Sequence, residues 1–211
     1  MTKSDPLDDW LSSQPAKVHL RSKRLMGVIR EAYPIGVPAF IVKSQTDRLS
    51  SSGGYSFHLG TPDDFLRRIC SWLLTHGQHD VLSQLIHDLW GRNGREDVAL
   101  AALLLANLPN QGDVWVRLAD LIGASSTAEA LLLSIEECLR AQHEAPGEEQ
   151  LLEWCSGSAA HAHLALLTHH ANWIRTGRPA LSSSLRDGFA SIPYPDGDSL
   201  LGRVRDQMLD S

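Results

Sequence analysis

The chain has 211 residues, of which 43% are apolar, 21% are charged and only 6% are aromatic. This composition predicts a folded chain with a real core, and it excludes a collagen, a disulfide-rich mini-protein and a wholly disordered protein. The longest apolar run, which includes Val98–Leu105 and ends at Ala106, is too short to span a membrane, and the N-terminus lacks the apolar stretch of a signal peptide. We therefore expect a cytoplasmic protein that is not embedded in a membrane.

The net charge of −6 is unevenly distributed along the chain. Residues 1–60 have a net charge of +3, residues 61–160 have −9, and residues 161–211 are neutral. An acidic centre disfavours nucleic-acid binding, because duplex affinity comes largely from Lys and Arg on phosphates. Binding depends on a local face, however, so the net charge lowers this expectation without removing it.

The N-terminal third combines polar and basic stretches. Residues 1–16 predict a loose tail or one short helix, and residues 17–30 are basic and partly periodic. Four apolar residues could share one helical face in that segment: Val18, Leu25, Val28 and Ile29. Pro34 and Pro38 then break the chain, and the Ser/Gly-rich residues 44–56 predict a flexible connector.

From residue 61 onward the pattern is helical. Thr61 is suited to N-cap a helix with Pro62 at its first position, and Gly77 ends that helix. Further helices are predicted over 79–90, 95–108, 113–122, 127–143, 148–154, 158–174 and 199–209. The 95–108 helix is apolar on most sides and should be buried. No segment alternates as a β-strand does.

Helices of this length joined by short turns predict an all-α fold built as a HEAT-like helical-repeat array, or α-solenoid, with a concave surface. A plain helical bundle is the alternative, because no residue-level repeat signature is present. We divide the chain into a polar N-terminal segment (1–54), the helical repeats (55–178) and a divergent C-terminal segment (179–211).

Cysteine and histidine give no metal motif. Three scattered cysteines (Cys70, Cys138 and Cys155) favour buried, reduced thiols over a reactive nucleophile. His161 and His163 are two residues apart and point to different faces of a helix, so they do not form a ligand pair. We predict no metal site and no cofactor.

The segment Asp113–Gly123 is the most suggestive one. Asp120 follows an apolar stretch, which predicts partial burial, and Trp115 lies five residues before it. A carboxylate beside an aromatic ring can stabilise a developing cation. A helix cap, or a salt bridge with Arg117, is the simpler interpretation of these residues.

Several motifs along residues 55–170 resemble the DNA alkylation-repair (AlkD-like) glycosylases in their order and spacing. They are Tyr55–Pro62, Arg67 and Arg68, Leu85–Trp90, Arg95 and Glu96, Ala99–Leu105, Trp115–Asp120, Leu151–Trp154 and the stretch that begins at His163. The resemblance implies HEAT-like repeats with a DNA-facing concave surface. It also implies hydrolysis of the N-glycosidic bond of N3- or N7-alkylated purines in duplex DNA.

In this interpretation Asp120 is the catalytic carboxylate that stabilises the cationic sugar, and Trp115 lines the site. The candidate DNA contacts are Arg67, Arg68, Arg92, Arg95, Arg117 and His163. The chain departs from the family at Val116, where a second aromatic residue is frequent, and in its acidic centre and C-terminal segment. A catalytically inactive repeat scaffold that binds a protein partner, or DNA through the basic segment Arg21–Arg30, is therefore the alternative function.

Overall fold

The computed structural model describes residues 5–52, 54–124, 126–194 and 199–210, with the backbone alone over 46–52. Within these residues the chain is all-α, as predicted, and contains no β-strand. Its α-helices are α1 (Pro6–Ser12), α2 (Ser22–Ala32), α3 (Ala39–Ser52), α4 (Asp63–His76), α5 (His79–Arg92), α6 (Arg95–Asn107), α7 (Val114–Leu121), α8 (Ala128–Arg140), α9 (Glu148–Cys155), α10 (Ala159–Arg175), α11 (Ser183–Ala190) and α12 (Leu200–Leu209). No helix of this described part is both long and apolar enough to cross a membrane.

Polar capping residues fix several of the helix starts. The side chains of four of them accept hydrogen bonds from backbone N–H groups in the first turn of α7, α8, α10 and α12: Asp113, Thr127, Ser158 and Ser199. Each bond satisfies a donor that the helix itself leaves without a partner. The predicted starts of these four helices are confirmed.

Other predicted boundaries are wrong. The connector predicted over 44–56 is helical as far as Ser52, because the sequence contains neither Gly nor Pro between Pro38 and position 53. Residue 53 of that connector lies outside the described part, and Gly54 has a φ of 124°. For residues 1–16 the second alternative, one short helix, is confirmed: α1 occupies Pro6–Ser12, and residues 1–4 lie outside the described part.

Two further differences concern single turns. Pro62, not Thr61, is the N-cap of α4, because the Thr61 hydroxyl donates to the Tyr33 carbonyl oxygen at 3.0 Å. Residues 17–30 divide into a 3-10 helix, Ala16–Leu20, and α2, with extended backbone at Arg21 between them. The four apolar residues predicted to share a face in this segment are nevertheless all buried.

The C-terminal segment contains a helix that the sequence analysis did not predict. Helix α11 begins after Ser182, whose hydroxyl accepts from the Leu185 N–H at 3.1 Å. Phe189 and Leu185 are its buried residues. Residues 195–198 of this segment lie outside the described part.

The chain divides into two compact units, Met1–Gln111 (unit 1) and Gly112–Ser211 (unit 2), at a point inside the predicted 55–178 segment. In unit 1, α6 packs against α4 and α5. Its residues from Glu96 to Ala106 are all buried, which confirms that this helix is buried on most sides. In unit 2, α10 contacts α8, α9 and α12, while α11 packs on α9 and α12.

Two adjacent buried carboxylates at the start of α6, Glu96 and Asp97, form what we call the carboxylate clasp of unit 1. Both residues are 0% exposed. Glu96 Oε1 accepts hydrogen bonds from three consecutive backbone N–H groups, at 2.8, 2.8 and 3.3 Å: Leu59, Gly60 and Thr61. The side chain therefore fixes the chain segment that leads into α4, in place of the ordinary hydrogen bonds of a sheet or helix.

Asp97 holds a different part of the chain. The Tyr33 hydroxyl donates to Asp97 Oδ1 at 2.9 Å, and Arg92 Nε lies 3.0 Å from Oδ2 in an ion pair. Burial raises the pKa of Asp97 to about 6, although Arg92 and the Tyr33 hydroxyl both act to lower it. Desolvation therefore destabilises the charged form of this carboxylate by more than its two partners stabilise it.

Close backbone approach completes the contact between the clasp and residues 55–61. The Ser56 N–H donates to the Asn93 carbonyl at 2.7 Å, and the Arg95 N–H donates to the Phe57 carbonyl at 2.9 Å. The Phe57 ring lies against Gly94, where an added Cβ would be 2.0 Å from the ring. Only glycine fits at this position.

We expect the Asp97→Asn substitution to change how stability depends on pH. The pKa of Asp97 is about 6 in the folded chain, whereas the ordinary aspartate pKa is 3.8. Between these two values the folded chain binds a proton that the unfolded chain does not, so the wild-type free energy of unfolding increases as pH falls from 7 to 4. The gain is at most about 3 kcal/mol, from 1.36 kcal/mol per pKa unit. Urea denaturation of both proteins at several pH values measures it, and parallel pH profiles would contradict it.

We expect Gly94→Ala to destabilise the protein by about 1–3 kcal/mol, because the new methyl group overlaps the Phe57 ring. Gly91→Ala is the matched control, since an added Cβ there meets nothing within 4 Å and Gly91 lies within α5. It should be neutral or stabilising by about 0.5–1 kcal/mol. Chemical denaturation compares the two variants, and equal stabilities would disprove the close packing at Gly94.

Candidate functional site

Asp120 lies one residue before the end of α7 and is exposed to solvent. The predicted partial burial of this carboxylate is wrong. The buried face of the short helix is taken by Val114, Trp115, Leu118 and Ala119, which leaves position 120 on the outer side. The carboxylate is therefore available to a ligand from outside.

Asp120 lines a groove of about 440 Å³ within unit 2, which we call the Asp120 groove. Residues of α7, α9 and the start of α10 line it: Val116, Ala119, Asp120, Gln150, Glu153, Trp154, Gly157, Ser158 and His161. Asp120 and Glu153 are both exposed carboxylates, and none of the described lining residues is Lys or Arg. The groove therefore has a negative potential that favours a cation over a phosphate.

The aromatic residue of this groove is Trp154, and Trp115 is not among its lining residues. Trp115 is only 3% exposed, and its indole Nε1–H donates to the Glu144 carbonyl oxygen at 2.6 Å. Trp115 thus anchors the loop after α8 to α7. The structure does not bring the predicted pair Asp120 and Trp115 together on an open surface. Trp154 lines the groove in its place, although this indole is itself only 6% exposed.

Ser158 and His161 form a hydrogen-bonded pair at one end of the groove. Ser158 Oγ lies 2.7 Å from His161 Nδ1 and also accepts from the His161 backbone N–H at 3.4 Å. A serine bound to a histidine can be an activated nucleophile. Here the serine is the N-cap of α10, so the pair is fully explained as the cap of that helix.

Three predicted DNA contacts in unit 1 are engaged by carboxylates. Arg67 Nε lies 2.8 Å from Asp63 Oδ2, and Arg92 pairs with the buried Asp97 while its guanidinium lies over the Phe57 ring. Arg68 binds Asp5 at 2.7 Å and Asp8 at 2.6 Å, and these hydrogen bonds raise its pKa. These ion pairs occupy part of each guanidinium, so fewer of its N–H donors remain for a phosphate.

Arg95 is half-buried at the start of α6, and its backbone N–H binds Phe57 as described above. The remaining two candidate contacts belong to unit 2. Arg117 is half-buried, its Nη1 has no hydrogen-bond partner within the described residues, and burial lowers its pKa. His163 Nε2–H donates to the Pro193 carbonyl oxygen at 2.8 Å, so this ring joins α10 to the chain that follows α11.

Cysteines and histidines contribute no reactive centre to the described structure. Burial raises the pKa of Cys138 to about 12 and that of Cys155 to about 11, so neither is a thiolate at neutral pH. Cys70 is a buried free cysteine. Within the described residues, no three His, Cys, Asp or Glu side chains are grouped so that they could hold a metal ion.

Sequence reasoning missed Glu153, Trp154 and His161 as neighbours of Asp120. The run Leu151–Trp154 stands out in the sequence, but it lies more than 30 residues from Asp120 along the chain. Leu151 and Trp154 are the buried residues of α9 and therefore define the buried side of that helix. Helical periodicity could have placed Glu153 on the exposed side, but only the tertiary structure places it in the same groove as Asp120.

No family model matches the chain, and no curated protein or solved structure matches it.

Proposed function

We propose that this protein is a non-catalytic helical-repeat binding module, with HEAT-like helix pairs, that takes a basic side chain of a protein partner into the Asp120 groove. The observation that carries the proposal is the shared position of Asp120 and Glu153 in one groove whose described lining includes no Lys or Arg. Two exposed carboxylates attract a lysine ammonium or an arginine guanidinium.

The apolar part of the groove supports the same ligand. The side chains of Val116, Ala119 and Trp154 can contact the methylene stem of a lysine or arginine while the charged end reaches the carboxylates. Trp154 is only 6% exposed, so it gives the groove a small apolar area and not an open ring face. Val116 is 44% exposed, so an apolar neighbour on the partner would cover it.

Glycosylase activity on alkylated purines is the second candidate function. Two features favour it: the Asp120 carboxylate is accessible, and an indole, Trp154, lines the same groove. An alkylated purine is cationic, so an acidic groove attracts the base itself. The engaged guanidiniums of Arg67, Arg68 and Arg92 weaken the phosphate contacts that such an enzyme needs.

We expect a triarginine peptide to bind the Asp120 groove and a triglutamate peptide not to bind it. In an NMR titration of the isotope-labelled protein, the triarginine peptide should shift the amide signals of Asp120 and Glu153 and the indole signal of Trp154. Asp120→Asn and Glu153→Gln should each weaken binding about threefold to fivefold, the effect of one exposed ion pair. Added salt should weaken binding as well.

Glu149→Gln is the matched control for these variants. Glu149 is an exposed carboxylate on α9, as Glu153 is, but it does not line the groove. If Glu149→Gln weakened binding as much as Glu153→Gln, the attraction would be a property of the acidic surface as a whole, and the proposed site would be wrong.

Release of methylated base from duplex DNA separates the two candidate functions. For a binding module, we expect no release of N3- or N7-methylated purines above the rate in buffer, even at high protein concentration and low salt. Release by the wild type that falls a hundredfold or more in Asp120→Asn would overturn the binding proposal and establish the enzyme.

A further inference from the structure

A second groove in unit 2, of about 540 Å³, lies among α8, α10 and α12 and shares none of its described lining residues with the Asp120 groove. We propose that this groove, which we call the α10 groove, binds an acidic amphipathic helix of a protein partner. Its walls are mainly aliphatic, and its rim carries two arginines. The proposal does not depend on what the Asp120 groove binds.

The apolar stripe of α10 continues from the core into this open groove. Leu167, Ala171 and Ile174 follow one another at helical spacing and all line it. Leu167 is fully buried, whereas Ile174 is 47% exposed. On the opposite wall Leu200 is 40% exposed and Val204 is buried. Two large aliphatic side chains exposed in one groove indicate an interaction surface more than isolated surface residues would.

The length of the groove suits two turns of a helix. Its lining residues on α8 run from Leu132 to Arg140, and those on α10 run from Leu167 to Arg175. At 1.5 Å per residue each wall extends about 12 Å, the span of anchors at positions i, i+4 and i+7 of a docked helix. The exposure of Ile174 and Leu200 leaves the groove open, whereas a single acyl chain needs an enclosing pocket.

The rim determines the charge of the occupant. Arg140 and Arg175 lie in the last turns of α8 and α10 and line the groove, and Glu136 is the one carboxylate among its described lining residues. Arg175 is exposed and has no ion-pair partner in the described part of the chain. Arg140 pairs with Glu137 at 2.8 Å but stays 57% exposed, so it can still meet a second carboxylate. The guanidinium of Arg175, together with the exposed part of Arg140, favours glutamate or aspartate beside the apolar anchors.

Fluorescence anisotropy with a labelled peptide tests the proposal on the full chain. The probe is a helical peptide of about 14 residues with leucines at i, i+4 and i+7 and glutamates flanking them. A second peptide replaces the glutamates by lysines. We expect the glutamate peptide to bind about tenfold more tightly than the lysine peptide. Ile174→Glu should weaken that binding about tenfold, and Arg175→Glu should reverse the preference between the peptides.

Leu20→Glu is the matched control, because Leu20 is 54% exposed and lies in unit 1. It should leave both affinities unchanged, and equal melting temperatures would show that all variants are folded. Equal binding of the two peptides, or no effect of Ile174→Glu, would overturn the proposal. Binding of palmitate by the groove, when neither peptide binds, would make an acyl chain the occupant and would also overturn it. None of these results depends on Asp120 or Glu153.

Discussion

The organisation of unit 1 depends on one constraint, the partnering of two buried carboxylates at the start of α6. A carboxylate without hydrogen bonds in this position would cost several kcal/mol, so the chain must bring donors to it. Glu96 obtains them from the backbone of residues 59–61, and Asp97 accepts a hydrogen bond from Tyr33 and forms an ion pair with Arg92. The path of the segment before α4 and the position of α2 relative to α6 follow from these contacts. Here a side-chain carboxylate accepts the backbone hydrogen bonds that a neighbouring strand would accept in a sheet.

Acidic residues have the opposite environment in unit 2. Asp120 and Glu153 are exposed and line one groove, where water and a ligand can reach them. The same functional group therefore has a structural role in unit 1, where it is buried, and in our proposal it has a binding role in unit 2, where it is exposed. Arginine follows the same rule, since Arg92 is paired with the buried Asp97, whereas Arg175 lies at the open rim of the α10 groove.

Much of the fold could be predicted from local sequence signals. Capping residues such as Asp113 and Ser158, and the continuous apolar run of α6, act within a few residues of where they occur. A serine-rich composition was a poor indicator of an irregular loop, because the serine-rich residues before Gly53 and after Ser182 are helical. The site was harder to predict, because the exposure of Asp120 and the presence of Trp154 instead of Trp115 in its groove depend on tertiary contacts. Those contacts join residues that are distant in the chain.

The carboxylate clasp also has a consequence for the order of folding. Its hydrogen bonds join residues 35 to 37 positions apart, and the Tyr33–Asp97 bond joins residues 64 positions apart. Closing such loops costs conformational entropy before the buried contacts form. The start of α6 therefore reaches its final, buried position only when α2 and the segment before α4 are in contact with it. Nascent chains would therefore reach a stable unit 1 only once residue 97 has been synthesised, and fragments that lack Tyr33 would leave Asp97 without its hydroxyl donor.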